Sequence, residues 1–248
     1  TSSKTSENPA TIEEVLGLSQ AIYDTKNALN GEQRLATEKS KDLKLIKGLK
    51  DLNKAQLEDV TNKVNSANTL TELSQLTQST LELNDKMKLL RDKLKTLVNP
   101  VKASLNYRNA DYNLKRQFNK ALKEAKGVLN KNSGTNVNIN DIQHLLTQID
   151  NAKDQLNGER RLKEHQQKSE VFIIKELDIL NNAQKAAIIN QIRASKDIKI
   201  INQIVDNAIE LNDAMQGLKE HVAQLTATTK DNIEYLNADE DHKLQYDY

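Results

Sequence analysis

The sequence predicts an all-α protein, and three observations support this prediction. The chain of 248 residues is 37% hydrophobic and 29% charged, yet only 3% is aromatic. It contains two prolines and seven glycines. Strands favour aromatic and β-branched residues between turns rich in Gly and Pro, so this composition is typical of helices. The third observation is a long internal repeat with helical spacing of its apolar residues.

The repeat has a period of about 127 residues. ALNGEQRL at 28–35 returns as QLNGERRL at 155–162, and LNDKM at 83–87 returns as LNDAM at 211–215. The shift is 127 residues in the first case (28 to 155) and 128 in the second (83 to 211). Single solenoid repeats span about 20–50 residues, so each period contains several helical units.

Candidate N-caps mark the helix starts in both copies. Thr11 with Glu14 three residues later forms a capping-box pattern, in which side-chain oxygens accept from free N–H groups of the first turn. Where the equivalent cap positions of the two copies carry different residues, both residues still have a side-chain oxygen. The predicted caps are Thr11, Asn53, Thr69 and Asn109 in the first copy and Asn138, Asn181, Asp197 and Asn237 in the second.

Two kinds of long helix are predicted. One starts after Thr69 or Asp197 and carries an apolar stripe about 35 residues long. Pro100 is predicted to kink or end the first of these helices, because proline removes an amide and clashes one turn back. The equivalent residue is Thr228, so this kink is not expected in the second copy. The other long stretch runs from about 138 to 178 and would span roughly 60 Å as one helix.

These helices are predicted to form tandem three-helix bundles that share their long helices, giving an elongated rod. The first bundle combines a helix ending near Lys50, a helix at 54–65 and the first half of the helix from Thr69. The second combines the latter half of that helix, a helix at about 109–131 and the helix after Asn138.

Several positions leave alternatives open. Gly31 and Gly158 lie where a long helix passes from one bundle to the next, and each glycine either breaks the helix or allows a close packing contact. Asn84 and Asn212 interrupt apolar stripes, where an Asn either fixes the register of neighbouring helices or marks the passage between bundles. Gly31→Ala and Gly158→Ala are expected to raise helix content slightly.

No catalytic, cofactor or metal site is predicted, and the ligand-binding residues remain unknown. Cysteine is absent, which excludes disulfides, thiolate metal ligands and thiol nucleophiles. No two of the four histidines lie within one helical turn of each other, so solvated side chains are expected rather than a metal site. Tyr107 and Tyr235 are expected to pack at helix turns. The histidines are His144, His165, His221 and His242.

Charge and hydropathy exclude two classes of partner. The formal net charge is +1 and the signs are interspersed, so a nucleic-acid surface is not indicated. No apolar run approaches the roughly 20 residues that cross a bilayer. We expect a monomer that does not insert into a membrane.

Three segments resemble two known kinds of helical module. LNNAQKAAIINQIRASKDIKIINQIVDNAIELNDAM at 180–215 resembles the GA-type module of bacterial surface proteins. LNDAMQGLKEHVAQL at 211–225 and NINDIQHLLTQIDNAKDQLNGERRL at 138–162 resemble the FIVAR-type module. Their alternation at this period is similar to the repeat region of giant staphylococcal cell-surface proteins of the extracellular matrix-binding protein homologue family. The resemblance covers the chain from about Thr11 onward.

The modules are predicted to divide the chain into five segments. Residues 1–10 form a disordered tail, 11–95 a GA-like bundle and 84–160 a FIVAR-like bundle. A second GA-like bundle is expected at 160–222, followed at 212–248 by the start of a second FIVAR-like bundle that is incomplete and frayed at its end.

The resemblance implies a non-enzymatic, extracellular protein of the bacterial cell surface with affinity for host matrix proteins such as fibronectin. Albumin-binding GA modules present tyrosines near the start of their third helix, where this sequence has KDIKII at 196–201 and TLTELS at 69–74, so albumin binding is not expected. Two functions stay open: a semi-rigid spacer, or a multivalent binder that gains strength from avidity. The sequence favours the spacer, because no cluster of aromatic residues and Arg recurs in both copies.

Overall fold

A computed structural model describes residues 10–248, which contain twelve helical segments and no strand. The all-α prediction is therefore confirmed. The residues group into two compact units: one takes the chain up to Lys93 and adds Lys123–Thr147, and the other combines Leu94–Leu122 with Gln148–Tyr248. None of the helices in 10–248 is both long and apolar enough to span a membrane.

The helices follow one another through short connections. In chain order they are α1 Ile12–Asn27, α2 Gly31–Lys47, α3 Lys54–Ser66, α4 Leu70–Ala103, α5 Leu105–Arg108, α6 Tyr112–Val128, α7 Ile139–Asp154, α8 Gly158–Glu176, α9 Asn182–Ala194, α10 Ile198–Thr229, α11 Ile233–Leu236 and α12 Glu240–Asp247.

The first unit is built around α2, α3 and the first part of α4. Apolar side chains at helical spacing on these three helices meet in a core, and Leu35, Leu43, Leu57 and Leu76 pack against it. Burying such side chains contributes about 1.5–3 kcal/mol each. The core residues are Ile46, Val60, Val64, Ala67 and Leu73.

The second unit repeats this arrangement with α8, α9 and α10. Leu105 of the single turn α5 also packs against its core. The core residues are Leu162, Ile173, Leu177, Leu180, Ile188, Ile192, Ile201 and Ala208.

Most of the predicted N-caps are confirmed. Thr11, Asn53 and Asn181 each form a complete capping box with the residue three positions later. In the others the side chain accepts an N–H of the first turn: Thr69 from Glu72, Asn138 from Asp141 and Asp197 from Lys199.

Two predicted caps are wrong. Asn109 and Asn237 do not open helices; each is the C-cap of a single turn, α5 or α11. The following helices begin after Asp111 and Asp239, and the Asp239 side chain accepts the N–H of His242. The predicted helix at 109–131 is therefore shorter: it is α6, Tyr112–Val128, which follows the single turn α5.

The long stretch at 138–178 is not one continuous helix. It is divided into α7 and α8, with Asn157 in a non-helical conformation (φ −122°, ψ 15°) and Gly158 as the first residue of α8. The first copy has the same break between α1 and α2, where Gly31 opens α2. The apolar spacing continues through the break, which is why periodicity alone did not reveal it.

The other long helices are confirmed, with 34 residues in α4 and 32 in α10. Pro100 lies inside α4, which continues to Ala103. The second copy has no proline here, yet α10 ends at Thr229. The common cause is the next turn: Ser104 and Asn232 are equivalent N-caps, of α5 and α11. Pro100 does not decide where the helix stops.

Candidate functional site: polar joints beside the helical bundles

Each unit contains a cluster of buried polar contacts where a helix start meets a distant loop. We call residues 50–56 with 128–137 the first joint, and residues 105–111 with 157–161 and 196–198 the second joint. Each joint lies within a single unit.

Asn53 is the centre of the first joint. Besides capping α3, its Nδ2 donates to the carbonyl oxygens of Val128 (3.1 Å) and Thr135 (2.9 Å). The Nε2 of Gln56 donates to the carbonyl of Val137 at 3.0 Å. Asn53 and Gln56 are completely buried. Because buried polar groups without partners are costly, these bonds hold the loop against the start of α3.

Lys131 completes the first joint. Its side-chain ammonium Nζ donates to the backbone carbonyls of Lys50 and Leu52. Its backbone carbonyl accepts from the backbone N–H of Lys54 at 2.8 Å. Burial, and secondarily the positive charge of Arg91, lowers the pKa of Lys131 below its ordinary value.

Asn84 and Asn212 brace a neighbouring loop in each unit. The backbone N–H of Asp51 donates to Asn84 Oδ1 at 3.0 Å, and that of Ile179 donates to Asn212 Oδ1 at 3.2 Å. Asp51 and Ile179 are equivalent in the repeat. The two asparagines therefore connect the third helix of each bundle to the loop after its first helix. The sequence located these residues but not their partners.

The second joint is centred on Asn109, which is 4% exposed. Its Nδ2 donates to the carbonyl of Lys196, and its Oδ1 accepts from the backbone N–H of Ile198, both at 3.0 Å. One amide thereby binds the loop before α10 and the first turn of α10. The carbonyl of Asn109 accepts from Arg161 Nη1 at 2.7 Å.

Asp111 connects to the start of α8 through a second set of bonds. Its Oδ2 accepts from Asn157 Nδ2 at 2.6 Å, and its backbone N–H donates to Asn157 Oδ1 at 3.1 Å. Arg161 Nε lies 3.0 Å from Asp111 Oδ1. Asn157 thus bonds to Asp111 in both directions and makes no capping bond to its own helix.

Gly158 is required by a close backbone approach in this joint. A Cβ at Gly158 would lie 2.3 Å from the carbonyl oxygen of Asn106 and 2.6 Å from the backbone N of Ala110. The sequence left two alternatives for Gly158, a helix break or a close packing contact, and the structure contains both. The expectation that Gly158→Ala only raises helix content is wrong, because the methyl group has no room. At Gly31 no atom lies within 4 Å of the added Cβ.

Four of the remaining candidate residues have structural partners. Tyr107 and Tyr235 pack at helix turns as predicted, edge-on against Phe118 and Tyr246. His165 contacts Asn202 and His242 contacts Asp239. In residues 10–248 no three His, Cys, Asp or Glu side chains are grouped so that they could hold a metal ion.

Two family models match successive segments of the chain. The FIVAR domain model matches residues 86–157 and 214–248, and the GA module model matches 32–86 and 161–214. The second joint therefore lies where a FIVAR match is followed by a GA match.

Individual relatives agree with this assignment. The chain is 31% identical over 235 residues to the extracellular matrix-binding protein ebh of Staphylococcus aureus strain MW2, and 34% identical over 235 residues to EbhA of strain Newman. These alignments cover 95% of this chain but 2% and 7% of the two relatives, so the chain corresponds to a small part of their length.

A solved structure has the same fold. The crystal structure of the 756–1003 domain of S. aureus EbhA superposes with a TM-score of 0.70 at 25% identity, covering 76% of this chain and 77% of that one. This chain thus belongs to the proteins with alternating GA and FIVAR modules, and is homologous to the repeats of the S. aureus extracellular matrix-binding protein Ebh.

Proposed function

We propose that this chain is a non-enzymatic spacer segment of a bacterial cell-surface adhesin, located outside the cell. The observation that carries the proposal is the construction of the joints. In each, a buried asparagine amide bonds to backbone groups far away in sequence, with Asn53 0% and Asn109 4% exposed. Buried and fully bonded polar contacts rigidify the segments that they connect.

The long helix α4 adds support for this proposal. It contains residues of both the GA match at 32–86 and the FIVAR match at 86–157 without a break in its 34 residues. Bending a continuous helix sharply requires the disruption of its backbone hydrogen bonds. The change from the GA match to the FIVAR match therefore takes place inside one helix and not in an irregular linker.

Small-angle scattering tests the spacer. An elongated particle whose scattering is reproduced by one conformation supports the proposal, and a compact particle contradicts it. The variant Asn109→Ala should broaden the distribution of conformations, since it removes the central amide of the second joint. Asn237→Ala, at the equivalent but exposed position, is the matched control.

The second candidate function is a multivalent binder of host matrix protein. It is favoured by one observation: the curated relatives carry the name extracellular matrix-binding protein. Weak sites repeated many times can bind through avidity. Saturable binding of this chain to immobilised fibronectin at micromolar or lower concentration would favour this function and overturn the spacer proposal.

Albumin is a useful comparison in the same assay. We expect no albumin binding, because the start of α10 is in contact with Asn109 through the carbonyl of Lys196 and the N–H of Ile198. These groups are part of the region where albumin-binding GA modules present tyrosines. Saturable albumin binding would contradict this expectation.

A further inference from the structure

An asparagine–glycine pair lies at the centre of the second joint. Asn157 and Gly158 lie where the connection after α7 enters α8, and Gly158 is buried as the first residue of that helix. Asparagine followed by glycine is the pair most prone to deamidation. Glycine has no side chain, so its backbone N can attack the preceding side-chain amide without steric hindrance. The second joint therefore contains a chemically reactive pair among its structural contacts.

The joint requires both members of this pair. The side chain of Asn157 donates to Asp111 Oδ2 at 2.6 Å and accepts from the backbone N–H of Asp111 at 3.1 Å, which takes a donor and an acceptor on one group. A Cβ at Gly158 would lie 2.3 Å from the carbonyl oxygen of Asn106. The contacts that hold the joint together thus depend on the same two residues that favour deamidation.

The closed joint keeps the reacting atoms of this pair apart. Ring closure needs the backbone N of Gly158 on the same side of the Cα–C bond as the Cβ of Asn157. At the observed ψ of 15° this N points away from the Cβ, and both ends of the Asn157 amide are bonded to Asp111. A rotation of ψ would also move the start of α8 away from Asn106. The joint must therefore open before the pair can react.

We propose that Asn157 is a site of spontaneous deamidation controlled by the second joint, which protects the amide when closed and lets it react when open. The backbone N of Gly158 loses its proton to hydroxide and bonds to Cγ of Asn157. The bond from Cγ to Nδ2 breaks, and ammonia leaves. Water then opens the cyclic imide at either carbonyl, giving aspartate or isoaspartate. The net reaction takes up water, releases ammonia and needs no other reactant.

The products do not fit the closed joint. Aspartate at position 157 has no donor for Asp111, and it places a carboxylate oxygen where Nδ2 now lies 2.6 Å from Asp111 Oδ2. Two carboxylates at this distance repel each other. Arg161 Nε, 3.0 Å from Asp111 Oδ1, offsets only part of this charge. Isoaspartate adds a methylene to the backbone beside Gly158, where the carbonyl of Asn106 leaves no room. Deamidation therefore makes opening of the joint irreversible.

The first experiment compares the folded and unfolded chain. The full chain is incubated at mildly alkaline pH with and without urea, and peptide mapping by mass spectrometry follows Asn157 separately from the other Asn–Gly pair at 30–31. Asn157 should react about tenfold or more slowly in the folded chain, because only the opened fraction of molecules reacts. Equal rates with and without urea, or no reaction of Asn157 in urea, overturn the proposal.

A variant of the joint tests whether opening controls the rate. Asn109→Ala removes the amide that binds Lys196 and Ile198, so the joint should open more often and Asn157 should react about tenfold faster in the folded chain. Asn113→Ala, at an exposed position on α6, is the control and should leave the rate unchanged. Circular dichroism verifies that both variants fold. An unchanged rate in Asn109→Ala contradicts control by the joint.

A pair of variants tests the effect of the product. Asn157→Asp stands for the deamidated chain and should lower the Tm by about 2–4 °C. Adding Asp111→Asn exchanges donor and acceptor between the two positions, so the double variant should recover most of this loss. A Tm of Asn157→Asp equal to that of the unmodified chain would mean that the deamidated joint closes normally. A double variant no more stable than Asn157→Asp would contradict the repulsion between the carboxylates.

Discussion

Asparagine side chains make the decisive contacts at the scale of single residues. An amide carries both donors and acceptors, so one side chain can bind a carbonyl and an N–H together. Asn109 does this with Lys196 and Ile198, and Asn53 caps α3 while donating to two carbonyls. An aspartate in either position would lose the donor, and a hydrophobic residue would leave the backbone groups unpaired.

Truncating Asn109 should therefore destabilise the second unit. We expect Asn109→Ala to lower the free energy of unfolding by about 1–3 kcal/mol, because buried backbone groups lose their partners. Asn237→Ala, at the exposed equivalent, should change it by about 0.5 kcal/mol or less. Urea denaturation of both variants measures the difference. Equal effects would show that the buried amide of Asn109 does not add to the free energy of unfolding.

Glycine at the second joint leads to a second prediction. Gly158→Ala should destabilise the chain by about 1–3 kcal/mol, since the added methyl group overlaps the backbone of α5 and forces a shift. Gly31→Ala is the control and should be close to neutral in the monomer, as its Cβ meets open space. Thermal unfolding at low protein concentration compares the two. A neutral Gly158→Ala would contradict the close approach.

At the scale of helices, caps determine where each element starts and stops. Equivalent caps at Ser104 and Asn232 follow α4 and α10, although only α4 contains a proline. Asn53 and Asn181 form the capping boxes that open α3 and α9. Helix length in this chain is thus a property of the flanking polar residues more than of the apolar stripe.

Replacing Pro100 should leave the end of α4 in place. In Pro100→Ala the helix gains a backbone donor, so we expect greater stability by up to about 3 kcal/mol. Because Ser104 still caps α5, the helix should end at Ala103 as before. Backbone chemical shifts over residues 96–108 would show where the helix ends. A helix that extended into α5 would show that Pro100 ends α4 in the unmodified chain.

The pairing of α8 with α9 should depend on pH. Arg193 Nη2 donates to Glu170 Oε2 at 2.6 Å, and this bond lowers the pKa of Glu170 and raises that of Arg193. A carboxyl with a lowered folded-state pKa stabilises the fold above its unfolded-state pKa, and this contribution is lost as pH falls through the folded value.

The variant Glu170→Gln isolates this effect. It should be less stable than the unmodified chain at neutral pH, and the difference should disappear in acid, below the lowered pKa of Glu170. Urea denaturation over a pH series measures it. A difference that stays constant with pH would mean that the ion pair does not contribute.

At the scale of the whole molecule, burial is unevenly distributed. Helices α1, α11 and α12 contain no buried residue, whereas α8 and α9 contribute several side chains to the core of the second unit. Local opening requires the least energy where few apolar contacts are broken. The two ends of the described chain should therefore open most readily.

Hydrogen exchange followed by mass spectrometry checks this gradient. Amides of α1 and α12 should exchange fastest and those of α8 and α9 slowest. Uniform protection along the chain would contradict the uneven distribution of stability.

The sequence by itself determined the helical class, the repeat, the lengths of α4 and α10 and most N-caps, because these depend on local spacing and on a side-chain oxygen a few residues away. It also identified Gly31, Gly158, Asn84 and Asn212 as unusual. Their partners were decided only by the tertiary structure. Asn109 is 87 residues from Lys196, and Asn53 is 82 from Thr135. Such contacts depend on how the helices pack against one another. The apolar spacing within a single helix does not indicate which distant backbone groups lie beside it.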